Sequence, residues 1–277
     1  MAALMLALCA CQPMGDDIVL QLTTEDPETL LYTNERQVVK VYLDCNRSWT
    51  ASCSEDWIEL ETTKGEEGEA QDFRFVLIAN KKYSYRTGEI VIKAGDRDLV
   101  LTVTQEPEIM YCVKENFDSS GLLLEGEIPR TWVNVDFDSD GYVWRCWRDP
   151  ETEQTFAYSA SYDDSRARAL TPDNWLLTPV IYFPEPSFSV KWDARSSDAA
   201  YTGDKYEVWV LLYDETNPLS RVEKIFEGTV DSATELTHHE ISLAKYDRIK
   251  IRIGFRHCES TGLSRVLITN VEVSNLR

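Results

Sequence analysis

The chain has 277 residues, with 28 basic against 48 acidic side chains for a formal net charge of −20, and 43% of its residues are hydrophobic. That length suits two domains rather than one small one, and the apolar fraction is enough to build packed cores. The negative charge repels phosphate backbones and anionic lipid surfaces, which argues against nucleic acid as a partner, and no stretch approaches the roughly 20 apolar residues of a membrane-spanning helix.

The first segment is residues 1–16. Met1–Cys11 is a short apolar stretch ending in Leu8-Cys9-Ala10-Cys11. It resembles the end of a bacterial lipoprotein signal, in which a small residue precedes the cysteine that becomes the lipidated first residue. Ala10 is small and Leu8 is not, so Cys11 is the expected lipidation site and Gln12–Asp17 begins a polar tether. An exported protein follows, held at the outer membrane or cell surface through that lipid alone. The other cysteines, Cys45, Cys53, Cys112, Cys146 and Cys258, show no spacing of a zinc site or redox motif. Most read as buried small hydrophobes, with a Cys146–Cys258 bridge left open.

From Asp17 the pattern is strands and turns. Period-two alternation marks 38–43, 73–78, 89–92 and 99–103, and turn signals fall at Lys64-Gly65-Glu66-Glu67-Gly68, Thr87-Gly88 and Gly95-Asp96. Residues 17–107 therefore predict one β-sandwich of about seven strands, closed by Pro107, which cannot continue a ladder. Trp49-Thr50-Ala51-Ser52, Trp57-Ile58, Asn80, Tyr85-Arg86-Thr87-Gly88-Glu89-Ile90 and Thr102-Val103-Thr104-Gln105 resemble a BACON domain. That resemblance implies an immunoglobulin-like sandwich in a Bacteroidetes surface protein, beside glycan-processing modules and often acting as a spacer.

Residues 108–277 also read as strand after strand. Phe188, Val190 and Trp192 form one inward row; Tyr206, Val208, Val210 and Leu212 form another, and Ile249, Ile251, Ile253 and Phe255 a third. Roughly ten such strands predict a jelly roll of two packed antiparallel sheets, so the fold class is all-β throughout. Glu115-Asn116-Phe117-Asp118, Ile128-Pro129-Arg130-Thr131-Trp132, Asp136–Trp144, Asp173-Asn174-Trp175-Leu176-Leu177-Thr178-Pro179 and Leu267–Val273 are similar to the choice-of-anchor J or cleaved adhesin family. The resemblance implies a surface jelly roll, commonly with structural calcium, engaged in adhesion or glycan contact, as in the adhesin regions of gingipain-type proteases. Thr269-Asn270 departs from the paired aspartates that the family often places before its last strand.

Within this part, Asp136-Phe137-Asp138-Ser139-Asp140-Gly141 alternates carboxylates and stops at a glycine. Three acids at i, i+2 and i+4 gather hard oxygen ligands, and Gly141 permits a turn that wraps carbonyls around a cation. Asp136, Asp138 and Asp140 are thus candidate ligands for structural calcium, with Glu115 or Asn270 as candidates to join them across the sheet. No helix-flanked loop with a distant glutamate makes this an EF-hand.

Catalytic patterns are missing: there are three histidines and no nucleophile elbow, His-Glu-x-x-His helix or phosphate loop. His257 and Cys258 are strand neighbours on opposite faces and cannot share a proton there. Trp132, Trp144 and Trp175 lie in the adhesin-like motifs and read as structural. Trp147, flanked by Arg145 and Arg148, is the first glycan candidate; Trp209 and Tyr213, which share a face, come next. The expectation is a monomeric, non-enzymatic lipoprotein whose ligand is a glycan or a surface protein. The competing reading is an assembly module that binds no glycan.

Overall fold

The computed structural model describes residues 18–23, 29–118 and 126–275, so Cys11 lies outside the described residues. They fall into two compact units, one ending at Glu108 and the other beginning at Ile109.

The first unit contains β1 (Leu20–Leu22), β2 (Thr29–Tyr32), β3 (Gln37–Cys45), β4 (Trp49–Cys53) and β5 (Ile58–Leu60). It continues with β6 (Lys64–Gly65), β7 (Gly68–Leu77), β8 (Arg86–Ala94) and β9 (Arg97–Gln105). One sheet runs β1-β3-β7-β5 and the other β2-β9-β8-β4-β6, with β2 parallel to β9. The alternation read in the sequence is the cause. Val39, Val41 and Leu43 of β3 and Ile90 and Ile92 of β8 point inward, while Lys40, Tyr42 and Glu89 remain exposed. Trp49 meets Phe73 edge-on at 5.8 Å in the core between the sheets.

Thr87-Gly88 corrects one expectation, because it lies inside β8 rather than in a turn. The glycine answers to packing. A Cβ there would stand 2.5 Å from Glu55 and 2.9 Å from the Trp57 ring. Gly95, at φ 60°, does form the β8–β9 turn.

The second unit begins with β10 (Tyr111–Glu115), β11 (Val133–Asp136), β12 (Arg145–Arg148), β13 (Thr155–Ala160), β14 (Tyr162–Asp163) and β15 (Arg168–Ala169). Then come β16 (Asn174–Leu177), β17 (Ser189–Ser196), β18 (Asp204–Leu212), β19 (Arg221–Val230) and β20 (Thr237–Ser242), and finally β21 (Ile251–His257) and β22 (Arg265–Ser274). One sheet runs β12-β13-β22-β17-β20, with β10 also on β22, and the other runs β11-β16-β21-β18-β19; β14 and β15 make a separate hairpin. This is the jelly roll.

Its core lies between the sheets. Val190 and Trp192 of β17, Val208 and Val210 of β18, and Ile253 and Phe255 of β21 are all at most 1% exposed. Trp192 packs edge-on against Phe255 at 5.9 Å. The inward rows are shorter than the alternation suggests. Ile249 precedes β21 and is 40% exposed, and Leu212 closes β18 at 44% exposed. At these two positions the row runs past the cover of the core, whatever the hydrophobicity of the side chain.

The cysteines among the described residues are free thiols, with Cys45, Cys146 and Cys258 buried and Cys53 and Cys112 half-buried. Cys146 and Cys258 are therefore not bridged.

Candidate functional site

β11 ends at Asp136, and the chain reverses through a loop built on that side chain. Asp136 accepts the amides of Asp140 at 3.3 Å and Gly141 at 2.9 Å, and Asp140 accepts that of Tyr142 at 2.8 Å. Ser139 at φ 58° and Gly141 at φ 86° supply the left-handed turns. As a result, oxygens of Asp136, Asp138 and Asp140 lie within 4.8 Å of one another. Partial burial, a hydrogen bond with Asp136 and the neighbouring charges of Asp140 and Asp136 push the Asp138 carboxyl up to about 6. Burial raises Asp136 too, but the amides of Gly141, Ser139 and Asp140 and the Asp138 side chain outweigh it and hold Asp136 below the usual range. Crowded carboxylates that keep spare lone pairs are a donor set fit for a hard divalent cation.

The structure does not bring Glu115 or Asn270 to this loop. Glu115 accepts the amide of Phe117 at 2.7 Å from β10, and Asn270 of β22 donates to Asp193 at 2.7 Å. Both line a separate cavity of about 380 Å³ on the other sheet. The expected join failed because β11 belongs to one sheet while β10 and β22 belong to the other.

The tryptophans sort by packing. Trp132, Trp144 and Trp175 are at most 6% exposed, and the Trp144 indole donates to the Asn174 carbonyl at 3.0 Å. Trp147 is half-buried against Phe156, 6.0 Å between centroids. Trp209 is half-buried in an apolar patch on the outer face of the second sheet, beside Trp175, Leu177 and Leu211. Its indole donates to Glu207 at 2.8 Å, and Glu207 is itself held by Lys224 at 2.9 Å and Arg256 at 3.1 Å. Burial raises the Glu207 carboxyl, but these donors overcome it and keep it ionised. Tyr213 sits near Arg252 and Lys250, 5.7 and 6.0 Å from its centroid, beyond that patch.

Chemistry that the sequence did not mark out collects beside the Asp136–Gly141 loop. A cleft of about 710 Å³ opens there, with Tyr158 and Ala160 of β13 in its lining, Asp140–Val143 of the loop on one side and the β14–β15 hairpin on another. Tyr142 ties these walls together. Its hydroxyl donates to Asp163 and accepts from Arg166 at 2.8 Å, while Arg166 pairs with Asp163 at 3.0 Å. Hydrogen bonds from Ser165 and Tyr142 first, then from Arg166, hold the Asp163 carboxyl far below its ordinary range. Arg168 stands 5.5 Å from the Tyr142 centroid, and Arg265, which also pairs with Asp164, stands 5.4 Å from that of Tyr158. Arg145 lies opposite Tyr158 in the β12–β13 ladder, one strand repeat from Trp147 and on the same face.

Residues 110–273 match the Cleaved Adhesin Domain model, and residues 47–106 match the model described as a putative binding domain, N-terminal (BACON). The chain belongs to the cleaved adhesin family. Hemagglutinin A of Porphyromonas gingivalis is 28% identical over 189 residues, 59% of this chain and 7% of that protein. Gingipain R1 of Porphyromonas gingivalis is 32% identical over 168 residues, 54% of this chain and 10% of that protein. The chain thus spans a tenth or less of these two curated relatives. The K1 cleaved adhesin domain of Lys-gingipain from Porphyromonas gingivalis W83 is 23% identical, covering 58% of this chain and 96% of that one at a TM-score of 0.49.

His257 and Cys258, adjacent in the cleaved adhesin unit, are both locked away. His257 bridges the sheets, with Nδ1 2.9 Å from the Ser159 hydroxyl and Nε2 3.3 Å from Asp204. Burial pushes the Cys258 thiol up to about 12.

Proposed function

We propose that the chain is a non-enzymatic, lipid-anchored surface module. Its cleaved adhesin unit binds a ligand, foremost a glycan, in the cleft beside the Asp136–Gly141 loop, and the BACON-type unit is a spacer. The observation that carries this is the cleft itself: about 710 Å³ of concave surface with rings and charged groups held by one another, within the size range of small-ligand sites. The family match supports adhesion, and the Hemagglutinin A and gingipain relatives support display at the cell surface. The buried His257 and the unreactive setting of Cys258 support a non-catalytic reading.

Asp136, Asp138 and Asp140 would hold structural calcium, which supplies positive charge to a crowded acidic turn and fixes the loop that forms one cleft wall. The test is a glycan array probed with the full chain, alongside Tyr158→Ala. Reproducible binding that this substitution removes supports the reading. Silence across neutral and charged glycans, together with capture of a surface protein that Tyr158→Ala leaves intact, refutes it.

A further inference from the structure

The cleft is cationic in an anionic protein. Arg145, Arg166, Arg168 and Arg265 line it against Asp140, Asp163 and Asp164, although the whole chain carries a net charge of −20. Two of these arginines are already occupied, Arg166 by Asp163 and Arg265 by Asp164. Among the described residues, Arg145 and Arg168 have no carboxylate within ion-pair distance, and both are exposed. Arg168 is poised over the Tyr142 ring, whose hydroxyl is fixed by Asp163, so its orientation is set before any ligand arrives. At physiological salt the Debye length is about 8 Å, so distant acidic residues are screened and a bound anion feels chiefly the groups that line the cleft, where four arginines stand against three aspartates.

The shape narrows the ligand further. A second hollow of about 320 Å³ shares Tyr162, Asp164 and Arg265 with the main cleft, extending it into a trough that reaches Tyr201 and Asp198, so the surplus of guanidinium groups lies at the Arg145 and Arg168 end. Its aliphatic lining is only Val143, Ala160 and Leu263, so tyrosine rings supply most of the apolar surface a ligand would meet. Half-buried Tyr162 and exposed Tyr201 both line this polar path, and tyrosine rings beside polar groups suit the flat C–H faces and hydroxyls of a sugar. We infer that the trough binds an oligosaccharide of carboxylate-bearing sugar rings, with Arg145 and Arg168 pairing with the carboxylates and Tyr162 stacking on a ring. This rests on the proposal that the cleft is the binding face. Guanidinium forks match carboxylates bidentately, which gives acid over neutral sugar its selectivity.

The test is calorimetric titration of the full chain with pentagalacturonate, with its fully methyl-esterified form, and with hexaglutamate. The acid should bind at least tenfold more tightly than the ester, weaken as salt rises, and lose at least tenfold in an Arg145→Met/Arg168→Met double variant whose melting temperature is unchanged. An ester that binds as tightly as the acid overturns the acidic preference and leaves a glycan-binding cleft standing. Hexaglutamate binding as tight as the sugar overturns the saccharide assignment, as does an unaltered double variant. Silence from both saccharides overturns this inference, while the glycan reading itself falls only if the array is silent as well.

Discussion

Arg256 offers a sharp test of how the outer face of the second sheet is held. Its Nε and Nη2 each donate to Asp173 at 2.7 Å, its Nη1 donates to Glu207 at 3.1 Å, and its guanidinium lies 5.4 Å from the Trp175 centroid. Arg256→Met keeps the length of the side chain and removes the fork. Stripping a buried ion of its only partner costs about 3–5 kcal/mol. Glu207, however, keeps Lys224 and the Trp209 indole, so its loss is nearer one charge-assisted hydrogen bond, about 1.5 kcal/mol. Asp173 retains the Trp175 indole at 3.1 Å and is partly solvated, which adds about 1 kcal/mol. The total, about 2.5 kcal/mol, lowers the melting temperature of this unit by about 5–10 °C, at roughly 2–4 °C per kcal/mol.

Differential scanning calorimetry of the full chain measures it, with Arg256→Lys, which keeps the charge without the fork, falling between. The sign of the pH dependence follows from Glu207. Its folded-state carboxyl is held below the ordinary value, so its stabilisation is present above the unfolded carboxylate range and lost as pH falls through the folded value. The gap between wild type and Arg256→Met should therefore be full at neutral pH and shrink in acid. A loss below about 0.5 kcal/mol, or a gap that widens in acid, refutes the reasoning.

Calcium at a hundredfold excess over its dissociation constant should add about 2.7 kcal/mol to the second unit. Chelator or Asp136→Ala should remove that shift in the melting temperature. Gly254→Ala should cost about 1–3 kcal/mol in chemical denaturation, since a Cβ there meets Leu211 at 2.7 Å and Leu177 at 2.9 Å. Thiol titration should find Cys146 and Cys258, both pushed up to about 12 by burial, unreactive in the native protein. They should react once denaturant unfolds the chain.

What the sequence made legible was local. Alternation in β3 and β8 announces a half-buried strand because side chains two apart share a face, and the three aspartates of the Asp136–Gly141 loop fall close together because only one residue separates each from the next. Thr87-Gly88 misled because a glycine serves equally for a turn and for the close approach of a ring, and only the fold shows Trp57 above it. The cleft was nearly invisible for the opposite reason. Arg145 drew notice beside Trp147, but Tyr158, Arg168 and Arg265 reach it through the β12–β13 and β13–β22 ladders and the hairpin, over distances in sequence that no spacing rule spans. The same missing information leaves Glu115 and Asn270 as candidates in the sequence, although β10 and β22 lie in the sheet that does not contain β11.

β22 has a consequence for how the second unit comes into being. It is the last of that unit's strands, yet β10 and β13 follow one another along one edge of it while β17 occupies the other. Until residues 265–274 leave the ribosome, β13 and β17 have no common neighbour, and the sheet is two fragments awaiting a spine. Such a topology closes late and folds slowly, because its pairings span long stretches of chain. Shortening the chain before Arg265 would remove not an edge but the middle of the sheet, leaving twelve strands' worth of sequence with apolar faces uncovered and prone to aggregate.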